Sequence, residues 1–134
     1  MTHLLDTDTC IHLLRGDETV VSQARKQSPG DLAISAITHY ELLYGAERCP
    51  ADWQAHESSK IQRLLQILTI LPFSHTTSIH AAKLRAILGK AGTPIGPMDL
   101  LIASTALEFQ MPVVTGNLRE FQKVPGLSCV TWKA

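Results

Sequence analysis

Close to the N-terminus the chain reads LLDTDTC, placing two carboxylates, Asp6 and Asp8, directly behind a short apolar run. Three kinds of chemistry fit that pattern. The pair can start a helix, since Asp and Thr are good N-caps and Asp8-Thr9 alone is explained that way. It can be a phosphoryl-transfer nucleophile with an acid/base partner. It can also open a metal site. Asp6 is harder to explain by capping, because it belongs to the strand-like run and would point from the strand end.

Two further acids bear on the choice. Glu41 closes Thr38-His39-Tyr40-Glu41, which fits a capping box. If instead Ser35 is the cap, Glu41 lies inside a helix among Tyr40, Leu42, Leu43 and Tyr44, and a carboxylate in that company needs a partner. Asp99 follows Gly96-Pro97-Met98. Pro97 suits a first helical position, and an acid in the first turn is favoured by the helix dipole. The helix it begins is apolar through Leu100-Leu101-Ile102-Ala103, which sets its start near the core. Several carboxylates in one pocket raise each other's pKa. A divalent cation removes that conflict, and oxygen-only donors suit Mg²⁺ or Mn²⁺. No His/Cys cluster has zinc spacing; Cys10 and His12 form only a lone pair.

The elements that must position these acids follow from periodicity. A strand is expected over 2–6, a helix over Thr9–Arg15 ending at Gly16, and another over Asp17–Gln27 before Ser28-Pro29-Gly30. Asp31–Ser35 reads as a strand and Ile37–Arg48 as a helix. Ile61, Leu64, Leu65, Leu68 and Leu71 recur at helical spacing up to Pro72. Residues 76–90 form an amphipathic pattern with Ile79, Ala82, Ala86 and Ile87 on one face. Thr93–Pro97 is a rigid turn, and Met98–Met111 is a buried helix, apolar nearly all round. Met111–Thr115 returns as a strand, with a last one at Ser128–Thr131.

Short strands alternating with helices predict an α/β fold, a three-layer α/β/α sandwich around a short parallel sheet. Sites in such sheets lie at the carboxyl ends of strands, where Asp6, Asp8, Gly116 and Asn117 fall.

Composition narrows the classes. The 134 residues, 45% apolar and 18% charged, read as one ordered domain, 1–134, rather than a disordered chain. The apolar stretches are too interrupted to span a bilayer, and an acid at position 6 with no basic lead argues against a signal peptide. Three scattered cysteines without a CxxC fit a reducing cytoplasm rather than a disulfide frame. Twelve acids balance twelve bases, so a nucleic-acid partner would need a local patch. Arg15, Arg48, Lys83, Arg85, Lys90, Arg119 and Lys123 are the candidates to line a cleft by phosphate contacts, although each is more simply a solvated charge.

Four blocks, LLDTDTCIHLL, SAITHYELLYGA, PIGPMDLLIASTAL and VVTGNLREFQKVPGL, occur in that order. Together they resemble the PIN-domain ribonucleases, and within them the VapC-type toxins of bacterial toxin–antitoxin pairs, over essentially the whole chain. The resemblance implies that Asp6, Glu41 and Asp99 are catalytic metal ligands. The fourth catalytic position maps to Asn117, with Thr115 beside it; many members carry an Asp there, so the Asn weakens a second metal position. Asp8, Thr115 and Asn117 are left as possible outer contacts. Glu120, before Phe121, reads first as a surface acid, with leaning into the site as the alternative. The implied activity is Mg²⁺-dependent hydrolysis of an RNA phosphodiester, with transfer RNA as the family-level substrate, Mn²⁺ as a substitute and 5′-phosphate and 3′-hydroxyl ends as products. The implied partners are a VapB-type antitoxin and a second copy of the chain, with Ile37–Leu43 and Ile61–Leu71 as candidate pairing surfaces, although core burial explains those apolar faces equally well.

Two rivals stand beside it. L-L-Asp6-T-Asp8-T also matches the strand end of haloacid-dehalogenase-type phosphatases, a reading that leaves Glu41 without a role. The other is a PIN fold retained as a catalytically inactive binding module.

Overall fold

In the computed structural model, residues 1–133 are described. The chain runs β1 (His3–Leu5), α1 (Thr7–Leu14), α2 (Glu18–Arg25), β2 (Leu32–Ser35), α3 (Ala36–Glu47), α4 (Ala51–Leu65), β3 (Thr69–Leu71), α5 (His75–Lys90), α6 (Pro97–Phe109), β4 (Val113–Val114), α7 (Leu118–Phe121) and β5 (Cys129–Val130). The strands form one parallel sheet in the order β3-β2-β1-β4-β5. The chain winds outward from β1 through β2 to β3, then returns to the other side of β1 for β4 and β5. The winding direction therefore reverses between β1 and β4, and a crevice opens at their carboxyl ends.

Alternation along the strands builds the three layers. Leu4, Ala33 and Val113 point into a core shared with Leu84 and Leu88 of α5, Ile102, Ala103 and Ala106 of α6, and Phe121 of α7. Leu5, Leu32, Ile34 and Val114 point the other way, onto Cys10 of α1, Val20 of α2, Leu42 of α3 and Ile61 and Leu64 of α4. Leu4, Leu5, Val113 and Val114 have no accessible surface at all. Complete burial on both faces is what an all-parallel sheet requires, and each such side chain contributes about 1.5–3 kcal/mol.

Three expectations need correction. The helical run expected through Leu71 ends at Leu65, and Thr69–Leu71 is an edge strand paired with β2. Leu68 and Leu71 are buried, as helical spacing demanded, but a turn and a strand deliver them there. The face proposed for residues 76–90 is out of phase. Ile79 and Ile87 are more than half exposed, and Thr77, Ala81, Leu84 and Leu88 face the core. As a candidate pairing surface Ile61–Leu71 is reduced to Ile67 and Ile70, which are exposed, because Ile61, Leu64, Leu68 and Leu71 are core residues.

The corrected phase of α5 has a direct consequence. Leu88→Ala should lower the unfolding free energy by about 2–5 kcal/mol. Ile87→Ala, one residue away on the outer face, should change it by less than about 0.5 kcal/mol. Urea unfolding of the two variants checks this, and equal losses would contradict the packing described.

Candidate active site

Asp6 leaves β1 at the crevice and is itself the N-cap of α1, its Oδ1 accepting the Thr9 backbone N–H at 2.8 Å. The capping role expected of Asp8 thus belongs to Asp6, and α1 starts two residues earlier than expected. Thr9 Oγ1 donates to the Val114 carbonyl at 3.0 Å, tying the start of α1 to β4. Asp6 is almost completely buried. Burial raises its pKa and the charge of Asp8 adds to the rise, while hydrogen bonds from Thr115 and Thr9 oppose them.

Ser35, the last residue of β2, caps α3 by accepting the Thr38 N–H at 3.1 Å. Glu41 is therefore not part of a capping box. It lies in the second turn of α3, where its Oε1 accepts the Thr7 hydroxyl at 2.6 Å. This bond joins α3 to α1 across the carboxyl edge of the sheet.

Pro97 is the first residue of α6, as its type predicts, and puts Asp99 in the first turn. The Asp99 carboxyl is pushed up to about 6, first by partial burial and then by the charges of Asp6, Glu120, Glu41 and Asp8. These five acids thus occupy one electrostatic neighbourhood. Among the described residues, Asp6, Glu41 and Asp99 have no ion-pair partner, while Asp8 approaches His12 at 3.5 Å and Glu120 approaches Lys123 at 3.4 Å.

Glu120 is a full member of the cluster rather than a surface acid. Its Oε1 accepts the Gly96 N–H at 2.8 Å. A Cβ built on Gly96 would stand 3.8 Å from that oxygen and 3.9 Å from Asp99 Oδ2, so both carboxylates flank the turn before α6. Phe121, fully buried, anchors the short α7 and fixes its neighbour.

Asp8 lies at the rim, half-exposed. A Cβ on Gly116 would meet Asp8 Oδ2 at 2.5 Å, so only glycine lets Asp8 come this close to the loop after β4. The Lys133 side chain, which the sequence did not single out, packs at the same point. Thr115 is fully buried, and its hydroxyl accepts the Asn117 N–H at 2.8 Å while bonding Asp6. Asn117 caps α7 with its side chain exposed and carrying no charge into the cluster. Of the cleft lysines and arginines, Lys123 reaches the cluster through Glu120, and Arg48 lies instead over the Tyr44 ring at 5.2 Å. Cys10 is buried in the core, and the thiol and His12 share no site.

The donor set suits a hard divalent cation: carboxylate and hydroxyl oxygens only, with the Asp6 and Asp99 carboxyls raised first by burial and then by like charge. Among the described residues no three His, Cys, Asp or Glu side chains are arranged around a single point as metal ligands, although four carboxylates lie near enough to raise the Asp99 pKa.

A family model for the PIN domain matches residues 3–127. The chain belongs to the PIN-domain family. Its homologues place it with the VapC-type ribonucleases. It is 34% identical over 129 residues to the tRNA(fMet)-specific endonuclease VapC of Salmonella typhimurium, covering 96% of each chain. It is 31% identical to ribonuclease VapC2 of Haemophilus influenzae over 98% of each. The crystal structure of DNA-bound VapBC from Salmonella typhimurium superposes with a TM-score of 0.91 at 34% identity, covering 98% of each chain. VapBC2 from Rickettsia felis, bound to a promoter DNA fragment, gives 0.91 at 30% identity over 99% and 100%. These matches set aside the phosphatase reading, as does the place of Glu41 in this PIN domain's cluster.

The raised Asp99 carboxyl sets a pH dependence. Its folded-state pKa, about 6, exceeds the ordinary 3.8, so the folded chain retains a proton that the unfolded chain releases. Stability is therefore lost as pH rises from about 4 to about 6.5. The full displacement corresponds to about 3 kcal/mol, which solvent screening of this half-exposed group reduces to about 1 kcal/mol. In EDTA, Asp99→Asn should be more stable than wild type by about that amount at pH 7 and equal to it near pH 4. Urea titrations at the two pH values check this, and a less stable Asn variant at pH 7 would contradict it.

Proposed function

We propose that this PIN domain is the toxin of a toxin–antitoxin pair, a Mg²⁺-dependent endoribonuclease that cleaves transfer RNA and is held in check by a VapB-type antitoxin. The observation that carries the reading is the gathering of Asp6, Glu41, Asp99 and Glu120, with Asp8 at the rim, where the sheet reverses its winding. Clustered carboxylates that raise one another's pKa mark a candidate functional site, and a cation meeting an anionic substrate would relieve that repulsion. The named activity of the relatives supports the substrate class, and the VapBC complexes support the partner.

In this reading Asp6, Asp99 and Glu41 hold the ion, with Glu120 supplying the acid that Asn117 lacks and Asp8 and Thr115 supporting. Mg²⁺, or Mn²⁺ in its place, supplies charge neutralisation at the phosphoryl oxygens and lowers the pKa of water. The chain's own residues do the positioning. Thr9 N–H and the Thr115 hydroxyl fix Asp6; Thr7 fixes Glu41; the Gly96 N–H fixes Glu120. Asp99, in the first turn of α6, is placed to orient the attacking water. Attack at phosphorus in line with the departing 3′ oxygen, which takes up a proton, leaves a 5′-phosphate and a 3′-hydroxyl. The active unit in this reading is a homodimer in the cytoplasm. No helix among the described residues is long and apolar enough to cross a membrane.

The test is cleavage of bulk transfer RNA, and of tRNA(fMet) alone, by the purified chain free of antitoxin. Wild type should cut in Mg²⁺ and stop in EDTA, and Asp6→Asn or Asp99→Asn should lower the rate at least about 100-fold. Undiminished cutting in EDTA, or by both variants, would overturn the reading. So would hydrolysis of phosphate monoesters with RNA left intact. A folded, antitoxin-free chain that cuts nothing would favour an inactive binding module.

A further inference from the structure

Helix α3 carries a second feature that the acid cluster does not use. Tyr40, Tyr44 and Arg48 succeed one another at four-residue spacing along one side of the helix. The two rings lie 6.5 Å apart between centroids and within 16° of parallel, and the Arg48 guanidinium lies over Tyr44. In the single chain both rings are more than half exposed, at 56% and 54%, and Tyr40 lies within Ile37–Leu43, one of the two stretches expected as pairing surfaces. Three flat groups therefore form a ladder of about 12 Å at the helical rise of 1.5 Å per residue.

Its direction matters. Because α3 begins immediately after β2, its N-terminal end sits at the carboxyl edge of the sheet, and helical side chains lean toward that end. Arg48 and Tyr44 cover one another lower down, so the open end of the ladder is Tyr40. The next residue, Glu41, turns about 100° around the helix to meet Thr7 at the acid cluster.

We propose that Tyr40 is a substrate-positioning residue: a stacking platform for an unpaired base of the RNA next to the bond to be cut, with Arg48 offering a cation to the same strand. The proposal rests on the nuclease reading above. Unpaired bases splayed from an RNA loop are held on aromatic faces and Arg planes, and stacking tolerates any base because each has a π-face. An exposed aromatic–cation ladder on the helix that carries Glu41 to the carboxylate site matches that chemistry, and a phosphodiester strand meets Arg48 with the right charge. In a duplex the base faces are already stacked, so the platform selects single-stranded segments.

The experiment uses the full chain with Asp6→Asn, which removes cleavage, in Mg²⁺. The probe is a short single-stranded RNA containing one 2-aminopurine, alongside the same sequence as a duplex. Adding Tyr40→Ala should weaken single-strand binding roughly tenfold and abolish the stacking quench of 2-aminopurine. Tyr40→Phe should bind within about twofold of the parent, because the ring and not the hydroxyl does the stacking. Duplex binding should not change. Arg48→Ala should flatten the dependence of log affinity on log salt, and Tyr40→Ala should leave that slope alone.

Unchanged single-strand binding by Tyr40→Ala, with the chain lacking Asp6→Asn still cutting RNA, overturns the platform and leaves the nuclease intact. A loss in Tyr40→Phe equal to that in Tyr40→Ala also overturns it. Loss of self-association or antitoxin binding in Tyr40→Ala, with RNA affinity retained, would make this face a protein surface instead. If the otherwise wild-type chain neither binds nor cuts RNA, the nuclease reading has failed and the platform with it.

Discussion

Like charge held at close quarters is the constraint on which the rest of this molecule depends. Asp99 is pushed toward neutrality by burial and by four other carboxylates, and Asp6 is almost fully buried beside them. A free chain would let these groups separate into water. The fold denies them that, because each is set on a different element of a rigid parallel sheet and its helices. Asp6 is locked by its cap on α1, Glu41 by Thr7, Glu120 by the Gly96 amide and Asp99 by the Pro97 turn. The two sheet cores supply the stability that the cluster removes.

The winding of the sheet explains why so few residues suffice. Reversal between β1 and β4 leaves a crevice that two loops and two helix starts all border. The loop after β4 contributes Thr115, whose hydroxyl links Asp6 to the Asn117 amide, and Gly116, whose missing side chain admits Asp8. Helix α3 presents two features from one run of residues, with Glu41 bonded to Thr7 of α1 and the Tyr40–Tyr44–Arg48 ladder facing solvent.

Much of this was legible in the amino-acid sequence. The strand-ending Asp6 and the Pro97 start before Asp99 follow from local chemistry, and the alternation of short strands and helices predicts the layers, whereas local chemistry left the α3 cap open between Ser35 and Thr38. What was not legible has identifiable causes. Thr69–Leu71 is too short to break an apolar pattern already at helical spacing, so an edge strand passed for the end of a helix. In α5 the choice of face depended on two isoleucines, Ile79 and Ile87, while the buried side is built from Thr77, Ala81, Leu84 and Leu88, whose mixed types give a weak signal. Helix α7 spans four residues, below any periodicity, and with it the place of Glu120 was hidden. Its bond to the Gly96 amide joins residues 24 apart, a tertiary contact with no local trace.

The measurement that tests the central claim most directly is calorimetric titration of the antitoxin-free chain with Mg²⁺ at pH 6, repeated in two buffers of different ionisation enthalpy. If the carboxylates are held together for a cation, binding will be saturable and the apparent enthalpy will differ between buffers, because a carboxyl half-protonated at this pH must release its proton to take up the metal. Asp99→Asn will then bind more weakly and without that buffer dependence. Saturable binding with no proton release, or undiminished binding by Asp99→Asn, would contradict the account, as would the absence of any saturable heat.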